Sequence, residues 1–281
     1  MANIRSAGDE PSDDPRWRAF EVRRVRAGRS STRRDAVSVE EPLEIRVLGK
    51  PIAVVMRTPG DDLDLAAGFV VTEGIVSPDD LSVVAPCVGA DGRAVENVVN
   101  AALVEGASLD VERFRRNLYA SSSCGVCGKA TLDAIEVAAP AVKSDLQISA
   151  DVLLRMPAGA REAQSVFETT GGLHAAALFS AAGERRELRE DVGRHNAVDK
   201  VIGARVRRGA WPLDQDVLFV SGRAGFEILQ KARVAGIPVV ASVGAPSSLA
   251  IECAQSGAMT LVGFLRDGGF NVYCGGERVR Q

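Results

Sequence analysis

The chain has 281 residues, 46% of them hydrophobic and 25% charged, enough to bury a sizeable core and to divide into two units. A net charge of −3 gives no general attraction for nucleic acid, and no apolar run is long enough to cross a bilayer, so a cytoplasmic protein without membrane or nucleic-acid partners is expected. Five cysteines spread over a long chain argue against a secreted disulfide framework and for reduced thiols.

Residues 1–38 mix Arg, Asp, Ser and Pro without apolar periodicity and are expected to form a disordered N-terminal arm. Leu43, Ile45 and Val47 then alternate with polar residues, a turn follows at Gly49-Lys50-Pro51, and Ile52 to Met56 continue, which predicts a strand pair. Asp61 and Asp62 are placed to cap a helix with Leu63, Ala66, Ala67, Val70 and Val71 on one face, ending at Gly74. Strand-like sequence runs from Leu81 to about Leu109. Residues 39–120 are therefore expected to form an α+β domain.

Residues 121–148 form a separate segment. Ser121-Ser122-Ser123-Cys124-Gly125-Val126-Cys127-Gly128-Lys129 places two thiols two residues apart between glycines, ahead of a helical face of Leu132, Ile135 and Ala139 that Pro140 stops. A reachable loop suited to sulfur chemistry is expected here.

Residues 149–281 are the more regular part and are expected to form an α/β three-layer domain that binds a cofactor. His174 opens an apolar strand, and Glu190-Asp191-Val192-Gly193-Arg194-His195-Asn196 sets a cluster of charge before an amphipathic helix. Strands at 217–220, 237–243 and 259–264 alternate with helices at 226–235 and from Ser247 to Gln255, giving two successive βαβ units. Parallel strands end on one edge, so the loops 221–225, 244–248 and 264–269 should line a common rim, where ligands of such sheets bind. Glycines, hydroxyls and arginines there suit a nucleotide pyrophosphate, although neither a GxGxxG nor a P-loop is present.

Three chemistries fit the thiol pair. A zinc-stabilised binding module needs four ligands, yet Cys87, Cys253 and Cys274 stand singly and look like small core residues. A thiol-disulfide oxidoreductase normally carries its CxxC near a βαβ pattern at the chain start. Persulfide carriage requires a reactive thiolate, which Lys129 and the start of a helix after Gly128 would favour. One thiol would then hold a sulfane sulfur, and the other could release it as sulfide by thiol exchange.

Over about residues 38–274 the chain resembles the formate dehydrogenase accessory sulfurtransferase family, FdhD. The likeness rests on Glu41-Pro42-Leu43-Glu44-Ile45, Glu73-Gly74-Ile75, the segment from Ser122 to Gly128, Gly172-Leu173-His174-Ala175-Ala176, the run from Glu190 to Ala197 with Asp199 and Lys200, Ser221-Gly222-Arg223, and Gly263-Phe264 with Arg266. The resemblance implies a sulfurtransferase that takes persulfide sulfur from a cysteine desulfurase and passes it to the molybdenum cofactor before insertion into formate dehydrogenase. It makes Cys124 the persulfide carrier and Cys127 its assistant. Mo-bis(molybdopterin guanine dinucleotide) is implied as a bound substrate, with no permanently bound metal. The family's cofactor segment falls on Phe264, Leu265, Arg266, Asp267, Gly268 and Gly269, to which the rim residues Gly222 and Arg223 are added. The resemblance further implies a cytidine-deaminase-like fold for the second domain, without the zinc-ligand motifs of a deaminase. The two nucleotide arms of the cofactor suggest a homodimer.

Overall fold

In a computed structural model, which describes residues 14–107, 109, 139–266 and 268–281, much of the expected disordered arm is instead a hairpin. Strands β1 (Trp17–Arg26) and β2 (Arg29–Ser38) pair antiparallel along their whole length. Ala27 and Gly28 both take positive φ, 45° and 77°, which matches the right-handed twist of two strands joined by a two-residue turn. The ribbon is fastened at its foot, where the Val39 amide donates to the Arg16 carbonyl and Ser38 Oγ to Thr170 Oγ1.

Strands β3 (Glu41–Val47) and β4 (Lys50–Arg57) form the next hairpin, turning at Leu48-Gly49, so that Lys50 and Pro51 belong to the second strand. Proline is tolerated because β4 is an edge strand. With β5 (Leu81–Val88) and β6 (Ala94–Leu103) they make a four-stranded sheet in the order β4-β3-β6-β5, and helix α1 (Asp62–Thr72) packs on it. Leu43, Ile45, Leu65, Val70 and Val99 are among the residues of this core. Asp61 and Asp62 do not cap the helix as expected. Asp61 is left-handed and offers no side-chain cap, while Asp62 pairs with the buried Arg57.

The second sheet has six strands, β8 (His174–Phe179), β9 (Arg185–Asp191), β10 (Val217–Val220), β11 (Val239–Ser242), β12 (Thr260–Arg266) and β13 (Gly269–Cys274), in the order β13-β12-β11-β10-β8-β9. A short strand β7 (Ile148–Ser149) pairs with the terminal strand β14 (Val279–Arg280) beside it. The central strands β10, β11 and β12 are parallel and joined through helices, as the two βαβ units require. Alternation then sorts the core. Leu218, Val220, Val240 and Leu261 face α4 (Arg194–Val206), α5 (Phe226–Val234) and α6 (Ser248–Ser256), whereas Val217, Phe219, Ala241 and Val262 face α2 (Ala150–Arg161). A short helix α3 (Ser165–Thr170) follows α2.

Helices α1 and α4 join the two sheets, and their close approach depends on two glycines. A Cβ on Gly68 would run into the Asp199 carbonyl, and one on Gly203 into the Asp64 carbonyl. Buried charges complete the junction. Lys231 Nζ lies 2.7 Å from Glu73 and 2.9 Å from Asp199, and Thr72 Oγ1 donates to Asp199 Oδ1. Burial alone would push the Lys231 ammonium down, but the carboxylates of Asp199 and Glu73 more than reverse that and hold it above its ordinary range. Arg57 is likewise enclosed, bonded to Asp62 and Asn97 and near Glu41.

Candidate functional site: the carboxyl rim of the six-stranded sheet

The three rim loops meet as their strand order demands. The Gly244 amide donates to the Gly222 carbonyl, the Phe264 amide to the Gly244 carbonyl, and the Ser247 amide to the Ala224 carbonyl. Ser221 Oγ accepts from the Ala175 amide and ties the first loop to β8. Glycine is needed where the loops touch. A Cβ on Gly244 would stand 3.0 Å from both Arg223 Cγ and the Gly222 carbonyl, and one on Gly263 would stand 2.9 Å from Pro246 and Tyr273.

Of the expected cofactor residues, Gly222, Arg223 and Phe264 lie together on this rim. The segment 264–269 is not an open loop, however. Strand β12 runs on to Arg266, which pairs with Gly269 of β13, and Gly268 at φ 95° helps turn the hairpin. Phe264 itself has φ 53° at an irregularity in the ladder and is 40% exposed, with the Arg266 guanidinium 6.0 Å from its ring centre. Leu265 is fully buried in the core and supports the hairpin rather than facing a ligand. Cys124, Cys127, the helix expected after them and Asp267 lie outside the described residues.

Below the rim opens a cleft of ≈ 560 Å³. Phe219, Ser221 and Val243 come from the strand ends, Leu173 and His174 from the start of β8, and Arg161, Gln164 and Phe167 from α2, α3 and the turn between them. The last three were not predicted. No local pattern signals them, because they reach the cleft only through the packing of α2 and α3 on the sheet. The Arg161 guanidinium lies 4.2 Å from the Phe167 ring centre and pairs with Glu168. Glu190 fixes α3 by accepting from the Val166 and Phe167 amides, the free donors of that helix start.

The charge cluster before α4 is mostly a clamp. Asp191 accepts from the amides of Thr58 and Gly193 and from Asn196, and pairs with Lys200, which also donates to the Thr58 carbonyl. Thus Asp191, Asn196 and Lys200 bind the end of β4 to the large sheet. His195 is buried rather than open to a ligand, with Nε2 3.6 Å from Glu227 Oε2, beyond hydrogen-bond reach. Burial pushes the Glu227 carboxyl up, yet the His195 ring, its own amide and Arg194 together hold it below its usual range. His174 faces the rim, where a Cβ on Gly222 would lie 3.3 Å from Nδ1. Burial, with Arg194 and His195 adding to it, lowers this imidazole below its ordinary value, against the pull of Asp191.

Arg194, Arg223 and Arg266 have no ion-pair partner among the described residues. Uncompensated guanidiniums beside glycine-rich turns at strand ends suit an anion with several oxygens, such as a pyrophosphate. Of the cysteines outside the CxxC, Cys253 is buried in the core as expected, whereas Cys274 is half-buried against it and Cys87 half-buried on β5. Among the described residues no helix is long and apolar enough to cross a membrane.

A sequence profile of the FdhD/NarQ family matches residues 38–280. A protein of Streptomyces avermitilis named sulfur carrier protein FdhD is 51% identical over 264 residues, 92% of this chain and 94% of that protein. A protein of the same name from Sulfolobus acidocaldarius is 41% identical over 93% of this chain and 98% of its own length. The fold matches a crystal structure from Desulfotalea psychrophila, described as a candidate formate dehydrogenase accessory protein, with TM-score 0.76 over 95% of this chain and all of that one, at 23% identity. On the span of the profile and these identities, the chain belongs to the FdhD/NarQ family.

Proposed function

We propose that this protein is a sulfur carrier that takes sulfane sulfur from a cysteine desulfurase and delivers it to the molybdenum of a bis(guanine dinucleotide) cofactor destined for formate dehydrogenase. The observation that carries the proposal is 41–51% identity over about nine-tenths of the chain to proteins named for sulfur carriage, in a sequence that holds a paired-thiol segment. The Cys124 thiolate attacks the terminal sulfur of the donor's persulfide. A new S–S bond forms on Cys124, the donor's S–S bond breaks, and the donor cysteine leaves as thiolate. Only when the acceptor cofactor is bound does Cys127 attack Cys124 Sγ, expelling the outer sulfur as sulfide and leaving a disulfide, which a cellular dithiol reduces before the next cycle.

The substrate's guanine-nucleotide ends are assigned to the rim, with Gly222 and Gly244 allowing close approach and Arg223 and Arg266 neutralising pyrophosphate. Phe264 offers a partly exposed ring, and Gly268 and Gly269 shape the hairpin. The proposal includes Asp267 on the strength of the family resemblance, a homodimer that accommodates both nucleotide arms, and cytidine-deaminase-like kinship of the large sheet. Deamination is no part of it, because the sequence lacks the paired His-x-Glu and Pro-Cys-x-x-Cys motifs.

The test is maturation of formate dehydrogenase in cells lacking this protein. Wild-type chain should restore formate oxidation, and the Cys124→Ala, Cys127→Ala double variant should not. Full restoration by the double variant would contradict the proposal.

A further inference from the structure

The ribbon β1–β2 has no part in the rim or the cleft, and its composition is unlike that of the rest of the chain. Residues 16–38 hold eight arginines and no lysine against Glu21 and Asp35, a local charge of +6, so with the whole chain at −3 the remainder carries −9. Directly paired residues of an antiparallel ribbon share a side, and the register therefore puts Arg18, Phe20, Arg24, Arg26, Arg29 and Arg33 on one face, with Asp35 as its one acid, paired to Arg33. Arg24, Arg26 and Arg29 have no ion pair among the described residues. Arg26 sits directly opposite Arg29, a like-charge pairing that is unfavourable in isolation. Phe20 and Val37, on the same face, are 43% and 42% exposed.

Size and position narrow the occupant. A ten-residue strand spans roughly 33 Å, which is much longer than a pyrophosphate and calls for a macromolecule. Arginine interleaved with an exposed aromatic is the composition of protein interfaces and suits bidentate binding of carboxylates. A nucleic acid, charged along its whole length, would also meet the −9 remainder. The ribbon stands on α3 through Ser38 and Thr170, at the wall of the cleft, so whatever docks on it is brought to the candidate site.

We propose that this ribbon face is the docking surface for an acidic face of the sulfur-donating cysteine desulfurase, an inference that rests on the sulfur-carrier function proposed above. A donor is met at every turnover and must leave after delivery. Steering by exposed charge speeds encounter without the large apolar contact that would slow release.

The experiment compares full-length wild type with an R24E/R26E/R29E/R33E variant and the matching four-lysine variant. Association with purified desulfurase is followed at low and high salt, and sulfur loading from inorganic polysulfide, which needs no docking, is measured alongside. The glutamate variant should associate about tenfold more slowly at low salt. The gap should close at high salt, the lysine variant should keep most of the rate, and polysulfide loading should be unchanged in both. An unaltered on-rate for the glutamate variant overturns the proposal. So does a variant whose sole loss is binding to a short DNA duplex, or whose sole change is conversion of a dimer to a monomer. Failure of the wild type to load sulfur from polysulfide would contradict the carrier function itself, so the two failures are distinguishable.

Discussion

Lys200 Nζ stands 2.7 Å from Asp191 Oδ2, and neither side chain reaches solvent. The pair joins the middle of α4 to the end of β9, and through the Thr58 backbone it holds β4 against both. It therefore links the smaller sheet to the elements behind the rim.

Removing one partner leaves an unmatched buried charge. Lys200→Met or Asp191→Asn should each lower unfolding free energy in denaturant titrations by roughly 3–5 kcal/mol. The double variant should cost less than the sum of the two, because no orphaned charge remains. Strict additivity would show that the pair is not the unit of stability.

Guanosine diphosphate is a convenient probe of the rim. Arg223→Ala and Arg266→Ala should each weaken its binding by about tenfold or more, the scale of a lost hydrogen bond to a charged group, when measured by calorimetry. Leu265→Met, within the buried core, should leave affinity nearly unchanged. Equal affinity in wild type and both arginine variants would remove the pyrophosphate assignment.

His174 gives a pH dependence with a defined sign. Its folded-state pKa lies below the ordinary 6.5, chiefly through burial. The unfolded chain therefore takes up the proton first as the pH falls through that value, and stability declines from there down to the folded-state pKa. Above 6.5 both states are neutral at this residue and its contribution is constant. His174→Gln should flatten this part of the stability profile between neutral and mildly acidic pH. A profile of unaltered slope would show that another group governs it.

The sequence made the parallel core legible because its strands are short apolar runs closed by glycine, as at 217–220 and 239–242, and their shared edge predicts the rim. The ribbon was not legible. Its arginines carry no apolar alternation, and the turn that makes it, Ala27-Gly28, is not one of the strong hairpin signals. Nor could spacing reveal the continuation of β12 past Phe264, where the ladder is interrupted at a positive φ and resumes at Arg266. The clamp residues Asp191, Asp199 and Lys200 stood out as a motif, but their role as staples depends on Thr58, Thr72 and Lys231, each far away in sequence. The cleft wall formed by Arg161 and Phe167 was hidden for the same reason.

The most direct measurement is the intact mass of the protein after incubation with a cysteine desulfurase and cysteine, taken for wild type, Cys124→Ala and Cys127→Ala. The account predicts a gain of one sulfur atom in wild type and in Cys127→Ala, reversed by a thiol reductant, and none in Cys124→Ala. A gain that persists undiminished in Cys124→Ala, or no gain in wild type, would contradict it.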